Sequence, residues 1–455
     1  MPVVKKAPAK KVVKKVVKKT ALADRLKDKG AKSTRKSAKP IWDGPESDTP
    51  NGGITQSLLG RFLVCPERFR VRVIDGLRPA EGFNVRLEYG NMWHVCEEAL
   101  ATVKGAAEFN VVAASQGKKP WSNRPATTDQ IMSVVVPKLQ AYSQTLVDKF
   151  PLDAEQVRHW YNVCRLQFPI YVEWWKSHAD VLARTPLFQE ETFAVPYKLP
   201  SGRTVILRGK FDSVDIIGKG KQRLIYLQEN KSKGDIDALM LHRMLKSGFE
   251  LQTMFYLTAL MLWLESDPNY NGDPIPIGGV RYNVVRRPLA GGKGSIKRSE
   301  GTAGAKCPRC KLSGLAKDGS KCPKCNGLGR INAKPEETPQ EFYNRLSGII
   351  KDAIEDNGDH YFFMRWKIEI SRKDIERFRE LTLDPILERL CLWYDIQTNQ
   401  PYTQSGYGKA LVHFRFPYNV YNPMLEGGVS DVDDYLDTGN EVGLAPIENL
   451  FPELS

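Results

Sequence analysis

The hydrophobic pattern becomes regular from about Ile54. In "TQSLLGRFLVCPERFRV" apolar residues recur three and four apart, the spacing of one helical face, and Thr55 or Ser57 stands where an N-cap belongs. "EYGNMWHVCEEALATV" repeats that spacing, and amphipathic stretches such as "VRHWYNVCRLQFPIYVEWWKSHADVL" continue to about residue 185. From "FQEETFAVPYKLP" the period shifts toward two. "RTVILRGKFDSVDII", the turn "GKGKQ" and "RLIYLQENKSKG" then predict a β-hairpin. "GFELQTMFYLTALMLWLES" predicts another helix and "IGGVRYNVVRR" a further strand. Residues 288–335 break the pattern with Gly, Lys, Ser and four Cys. Beyond them "PQEFYNRLSGIIKDAI" and "SRKDIERFRELTLDPILERLCLWYDI" are helical in period, and "VHFRFPYNVYNPMLEGGVSDVDDYLDTG" is aromatic, then acidic.

Charge changes this picture at one end only. Residues 1–40 hold thirteen Lys and two Arg against two Asp, so nearly all of the formal charge of +14 sits there. That segment has no aromatic residue and cannot bury enough surface to fold alone. It reads as a DNA-binding arm, a solvated tail or a targeting signal. The N-terminal charge is not followed by an apolar h-region, and no apolar run reaches the ~18 residues of a membrane helix. The expected location is the cytoplasm, where eight cysteines read as thiols or metal ligands.

The predicted hairpin carries the chemistry. Its first strand contains Gly209-Lys210-Phe211-Asp212, and its second ends in Glu229-Asn230-Lys231. Asp212 and Glu229 across the hairpin place two carboxylates close together, where like charges repel unless a cation lies between them. Mg²⁺ suits such oxygen ligands. Lys231 would orient or deprotonate a water, or neutralise transition-state charge. The plainer reading is a surface hairpin with an ordinary Glu–Lys pair. Two further features weigh against it. "GNMWHVCEEAL" offers Gly90 and, on one helical face, His94 and Glu98. "LQTMFYL" offers Gln252 and Tyr256, four apart on an otherwise apolar helix, where polar groups need partners.

The order His94, Gly209-x-x-Asp212, Glu229-x-Lys231, Gln252-x-x-x-Tyr256 resembles the PD-(D/E)XK nucleases of the RecB type, including the CRISPR-associated exonucleases. "SLLGRFLVCPERFRV" is similar to that group's opening helix, with Ser57 and Cys65-Pro66 in its S…CP pattern. Residues 54–287 fit throughout, and the segment after the insertion looks like long phage-encoded members. The resemblance implies an α/β restriction-endonuclease-like core, a mixed sheet flanked by helices, and Mg²⁺- or Mn²⁺-dependent hydrolysis of DNA phosphodiesters. It assigns His94, Asp212 and Glu229 to the metal, Lys231 to assisting the water, and Gln252 and Tyr256 to DNA binding or site architecture. Glu191 is a candidate accessory acid, though an exposed strand residue is the better reading. Exonuclease action follows by analogy; a structure-specific endonuclease and a zinc-containing DNA-binding protein with an idle site are the alternatives. DNA is the expected partner, with a helicase or recombination protein in trans, in a bacterial or phage-infected cell. Many relatives hold an iron–sulfur cluster through one early and three late Cys. Here Cys65 matches the early position, but only Cys391 follows the insertion, so a cluster is not expected. Cys96, Cys164 and Cys391 read as packing residues.

"CPRCKLSGLAKDGSKCPKCNGLG" is a stronger signal. Cys307-x-x-Cys310 and Cys322-x-x-Cys325 have the spacing of a tetrahedral Zn²⁺ site closed by four thiolates, hence structural. Lys306, Arg309, Lys311, Lys317, Lys321 and Lys324 surround it, which suits phosphate contact or a solvated surface. The expected organisation is a lysine-rich tail (1–45), a nuclease core (54–287), a zinc-knuckle insertion after the last core strand (296–334) and a C-terminal segment packing on the core (335–455). No P-loop motif occurs.

Overall fold

The structure, a computed structural model, describes residues 41–455 apart from 75, 80–81, 102, 104–125, 177–183, 219, 235–237, 247–249, 267–274, 289–296, 302–303, 333, 355–359, 400–443, 448–449, 452–453 and 455. The lysine-rich tail and the aromatic–acidic stretch near the C-terminus lie outside the described residues.

Local chemistry sets where the elements begin. Ile54–Thr55 is a short strand (β1), and the Thr55 hydroxyl accepts from Leu58 N at 3.2 Å, so helix Gln56–Val64 (α1) starts directly after it. Helices Val85–Ala101 (α2), Thr128–Lys149 (α3) and Ala154–Lys176 (α4) follow, α3 opened by a Thr127–Gln130 capping box. Strands Arg184–Lys198 (β2), Thr204–Ile217 (β3) and Leu224–Lys233 (β4) come next. Then come helices Ala238–Lys246 (α5) and Leu251–Ser266 (α6), strand Ile277–Arg286 (β5) and helix Pro339–Lys351 (α7). Strand Phe363–Glu369 (β6) and helices Arg372–Phe378 (α8) and Asp384–Asn399 (α9) follow, α8 and α9 joined through a π-helical turn.

Six strands form one mixed sheet. β3 is its pivot. One edge pairs with β2 along nearly its whole length. The other edge is shared: residues 213–217 pair antiparallel with β4, whereas Leu207 and Arg208 pair parallel with β1. β4 pairs parallel with β5, and β5 antiparallel with β6. The sequence pattern places no strand beyond the insertion. β6 shows that residues 288–335 interrupt the sheet instead of following its last strand. Its "FMRWKIE" alternates only weakly because it is an edge strand carrying Arg365 and Lys367.

Each face of the sheet meets its own apolar cluster. On one face Leu207, Phe211, Ile225, Leu227, Val280 and Tyr282 pack with α1, α6, α8 and α9. Helix α6 is apolar on most sides and is buried accordingly through Met254, Phe255, Leu257 and Leu260. The second cluster is built by α2, α3, α4 and α7 with Val285 and Phe363 from the sheet. Between sheet and helices on that side lies a polar layer: Asp215 pairs with Arg281, whose Nε donates to Gln228 at 3.0 Å, and Asn283 donates to Tyr171 at 2.6 Å. Cys96 and Cys164 meet within this second cluster and Cys391 is buried in the first, the packing roles their apolar surroundings predict.

Candidate active site

The site forms where β3 leaves β4. Their ladder runs from Ile217↔Leu224 to Ser213↔Gln228 and stops there. One step further, the same register sets Asp212 opposite Glu229. At that step the Asp212 carboxylate replaces the main chain as acceptor: Asn230 N donates to Oδ2 at 2.8 Å. The strands separate around this contact, and β1 takes up the freed edge of β3.

A kink in both β2 and β3 falls at the same level. On β3 the positions packed in the first cluster are 205, 207 and 211 on one side of the kink and 214 and 216 on the other. On β2 they are 193, 195 and 197 on one side; on the other both Leu187 and Phe188 pack against the cluster, and the ladder register shifts between Pro186 and Phe188. Strand alternation therefore breaks in each strand. On β2 the break includes Glu190, a non-glycine residue at φ 49°, in the left-handed region. That geometry costs about 1–3 kcal/mol and persists where surrounding structure fixes it. The flanking pairs Gln189↔Ser213 and Glu191↔Phe211 put Glu190 directly across from Asp212.

His94, from α2, faces this pair. Its Nδ1 lies 3.5 Å from Glu190 Oε1 and 3.8 Å from Asp212 Oδ1. One ligand atom from each of the three lies within 4.8 Å of the others. Lys210 Nζ holds the other Glu190 oxygen at 2.9 Å. Gly90, one turn before His94, lets α2 approach β4: a Cβ there would stand 3.2 Å from Ser232 Oγ. Glu98 is exposed, while its neighbour Glu97 turns inward and accepts from Trp93 at 3.3 Å and Asn283 at 3.2 Å.

Glu229 and Lys231 are paired, not scattered on a surface. Lys231 Nζ sits 2.7 Å from Glu229 Oε2, and Gln252 Nε2 donates to the same oxygen at 3.1 Å. Glu229 is completely buried. Its second oxygen, Oε1, is buried with no hydrogen-bond partner, a costly state for a carboxylate oxygen. Tyr256 has a different surrounding. Its ring stands edge-on to Phe193 and Phe211, centroids 5.6 and 6.1 Å away. Gly209 lies beneath, where a Cβ would fall 2.5 Å from Phe193 and 3.1 Å from Tyr256. Gln252 thus braces the acid–lysine strand, and Tyr256 braces the kinked β3.

The electrostatics follow from this crowding. Burial raises the Glu229 pKa to about 7, against the pull of Lys231. Burial also raises Asp212, with Glu190 adding to the effect and His94 opposing it. Burial alone would lower His94, but Asp212 and Glu190 outweigh it and push the imidazole up to about 9. Burial likewise works against the Lys231 ammonium, yet Glu229 and Asp212 hold its pKa above the ordinary lysine value. Lys231 is therefore a cation here and suits charge neutralisation and orientation better than proton abstraction. His94, Glu190 and Asp212 are the group whose ligand atoms converge and suit a divalent cation; Glu229, on the neighbouring strand, lies outside that group and keeps one unpartnered oxygen.

Glu190 was not legible beforehand. The sequence pattern offers Glu191, which the structure exposes. The place of Glu190 opposite Asp212 follows from the observed β2–β3 register.

The four insertion cysteines also converge. Cys307 and Cys322 Sγ are 3.8 Å apart, Cys310 and Cys325 3.5 Å, and all four ligand atoms lie within 4.8 Å of one another. Thiolates tetrahedral about Zn²⁺ at about 2.3 Å would stand roughly 3.7 Å apart, so the donor set fits. Without a cation the thiols share protons: burial opposes the Cys310 thiolate, yet the Cys325 contact brings Cys310 down to about 6, while burial and that same contact push Cys325 up to about 11. Cys65 is buried, its carbonyl accepts from Phe69 N at 2.9 Å, and it belongs to neither ligand group found among the described residues.

Among the described residues no helix is long and apolar enough to cross a membrane. No curated protein matches the chain. The model of one family does: it spans residues 54–363, more than half of the chain, from β1 through the first residue of β6. That span holds the kinked strands, the acid–lysine strand and the helices that brace them. The chain belongs to the PD-(D/E)XK nuclease superfamily.

Proposed function

We propose that the protein is a Mg²⁺- or Mn²⁺-dependent deoxyribonuclease, acting as an exonuclease in DNA recombination, repair or processing. The observation that carries this reading is Glu229: fully buried, one oxygen held by Lys231 and Gln252, the other without a partner, next to the strand that presents Asp212. His94, Asp212 and Glu190, whose ligand atoms lie within 4.8 Å of one another, would hold the catalytic metal, and Glu229 would add its unpartnered oxygen from the neighbouring strand. A bound divalent ion supplies Lewis acidity toward a phosphate oxygen and makes a coordinated water more acidic. The chain's own groups do the rest. Lys231 presents its ammonium to the developing negative charge and orients the attacking water. Gln252 keeps Glu229 turned toward the metal side, and the Asn230 N–H fixes Asp212. Water adds to phosphorus as a P–O ester bond breaks, leaving a phosphate monoester and an alcohol.

The four thiolates of the insertion hold a structural Zn²⁺, closing a segment too poor in apolar residues to fold otherwise. Residues 54–287 form the nuclease core, completed by β6. The preference for DNA ends rests on analogy with RecB-type relatives, and it separates cleanly in one assay. Linear and circular DNA, single-stranded and duplex, are incubated with and without Mg²⁺. Loss of linear DNA alone supports the exonuclease. Cutting of circles supports the endonuclease, and no cutting with intact DNA binding supports an idle site.

A further inference from the structure

The cysteine module carries a surface that zinc binding alone does not account for. Between Ala305 and Lys334 there are eight Lys and Arg against a single acid, Asp318. Four thiolates on a divalent ion retain two negative charges, so the module stays strongly cationic. Its Lys and Arg are exposed, Lys306, Arg309, Lys317, Lys321 and Lys324 among them. The acids lie at the neck instead. Glu337 accepts from Arg345 Nε at 2.7 Å and from Ser299 N at 2.9 Å, and Arg345 also donates to Lys297 O at 2.9 Å. These contacts tie the module's base to the start of α7 and leave its tip free of carboxylates other than Asp318.

The second observation is apolar. All three leucines of the module face solvent: Leu312 is 41% exposed, Leu315 51% and Leu328 76%. Backbone packing puts them there. A Cβ on Gly314 would lie 2.3 Å from Gly327 O, and one on Gly329 2.4 Å from Leu312 O. The two knuckles thus press glycine backbone against backbone, and the leucines beside those glycines are turned outward onto neighbouring turns. A solvated charged face explains the lysines but not three exposed leucines among them.

We propose that this tip is a second DNA-binding surface, which grips single-stranded DNA: lysines and arginines on the phosphates, leucines against unpaired bases. The combination of cations with apolar side chains matches a strand that exposes both phosphates and base faces, whereas an undistorted duplex stacks its bases inside. The inference rests on the reading of the protein as DNA-directed and adds a contact outside the metal site.

The test is fluorescence anisotropy of the full-length protein with a labelled single-stranded oligonucleotide and with its duplex, across a salt series. Buffers contain neither Mg²⁺ nor chelator, so DNA stays intact and zinc stays bound. One variant is Lys317→Glu/Lys321→Glu/Lys324→Glu; the other is Leu328→Ser, which leaves charge and thiolates untouched. The lysine-rich tail is the same in every protein, so differences report the module. The charge variant should flatten the slope of log affinity against log salt by about 2, at roughly 0.7 per lost single-strand phosphate contact. Leu328→Ser should weaken single-strand binding several-fold with the slope unchanged and duplex binding unaffected. Unchanged slope in the zinc-loaded charge variant, or unchanged single-strand affinity in Leu328→Ser, overturns the proposal. A protein that binds this way yet never cleaves refutes the nuclease reading alone; one that cleaves but binds without regard to the module refutes this inference alone.

Discussion

Glu190 stands directly across the β2–β3 ladder from Asp212, and His94 Nδ1 reaches both carboxylates, at 3.5 and 3.8 Å. Two strands change their facing at one level, and the residues at the change are the ones that meet. The adjacent Glu191 points to solvent. Glu190→Gln should therefore lower cleavage at limiting Mg²⁺ at least tenfold and raise the Mg²⁺ concentration needed for half-maximal rate. Glu191→Gln should behave as wild type. Equal behaviour of the two variants in a metal titration would refute this placement.

Gly209 supports the same kink from beneath. A methyl group there would fall 2.5 Å from the Phe193 ring and 3.1 Å from Tyr256. Gly209→Ala should destabilise the protein by about 1–3 kcal/mol, the usual range for overpacking. Denaturant unfolding measures it. Tyr256→Phe retains the ring contacts and should cost much less.

Metal affinity should depend on pH with a defined sign. Against the effect of burial, Asp212 and Glu190 push His94 up to about 9, and burial pushes Glu229 up to about 7. Both must lose a proton to serve as ligands, so Mg²⁺ or Mn²⁺ binding should strengthen as pH rises from 6 to 9, with proton release. The stability consequence has the opposite sign. A histidine whose pKa is raised on folding stabilises below its unfolded value and loses that contribution as pH rises through about 9. A raised carboxyl such as Glu229 likewise costs stability as pH rises toward about 7. The increase in Tm on adding Mn²⁺ should thus be larger at pH 9 than at pH 6. Calorimetry at three pH values checks both.

The cysteine module should contain about one zinc per chain, and Cys307→Ser or Cys322→Ser should release it. Elemental analysis reads the result directly. Iron with inorganic sulfide in place of zinc would contradict the assignment of these thiolates.

Residue order names Asp212, Glu229, Lys231, Gln252 and His94; the structure brings His94 and Asp212 together with Glu190, and Glu229 with Lys231 and Gln252. The hairpin follows from its turn and period-two strands, and the structure pairs those strands as the pattern requires. Glu190 was hidden because a register slip has no composition: "QEET" gives neither the left-handed backbone nor the identity of the inward acid. β6 was missed because an edge strand need not alternate sharply when one side meets solvent. The role of Gln252 as a brace of Glu229 depends on how α6 packs across β4, a tertiary fact that helical spacing alone does not supply.

The account turns on the Glu229 carboxylate, so its replacement is the most direct measurement. Purified Glu229→Ala and wild-type protein are compared for Mg²⁺-dependent cleavage of linear DNA, with DNA binding and thermal unfolding measured on the same preparations. Removing one carboxylate oxygen pair from a metal site should abolish detectable cleavage while DNA binding stays within about twofold and the unfolding transition remains cooperative. Wild-type rates of cleavage in Glu229→Ala would contradict the account.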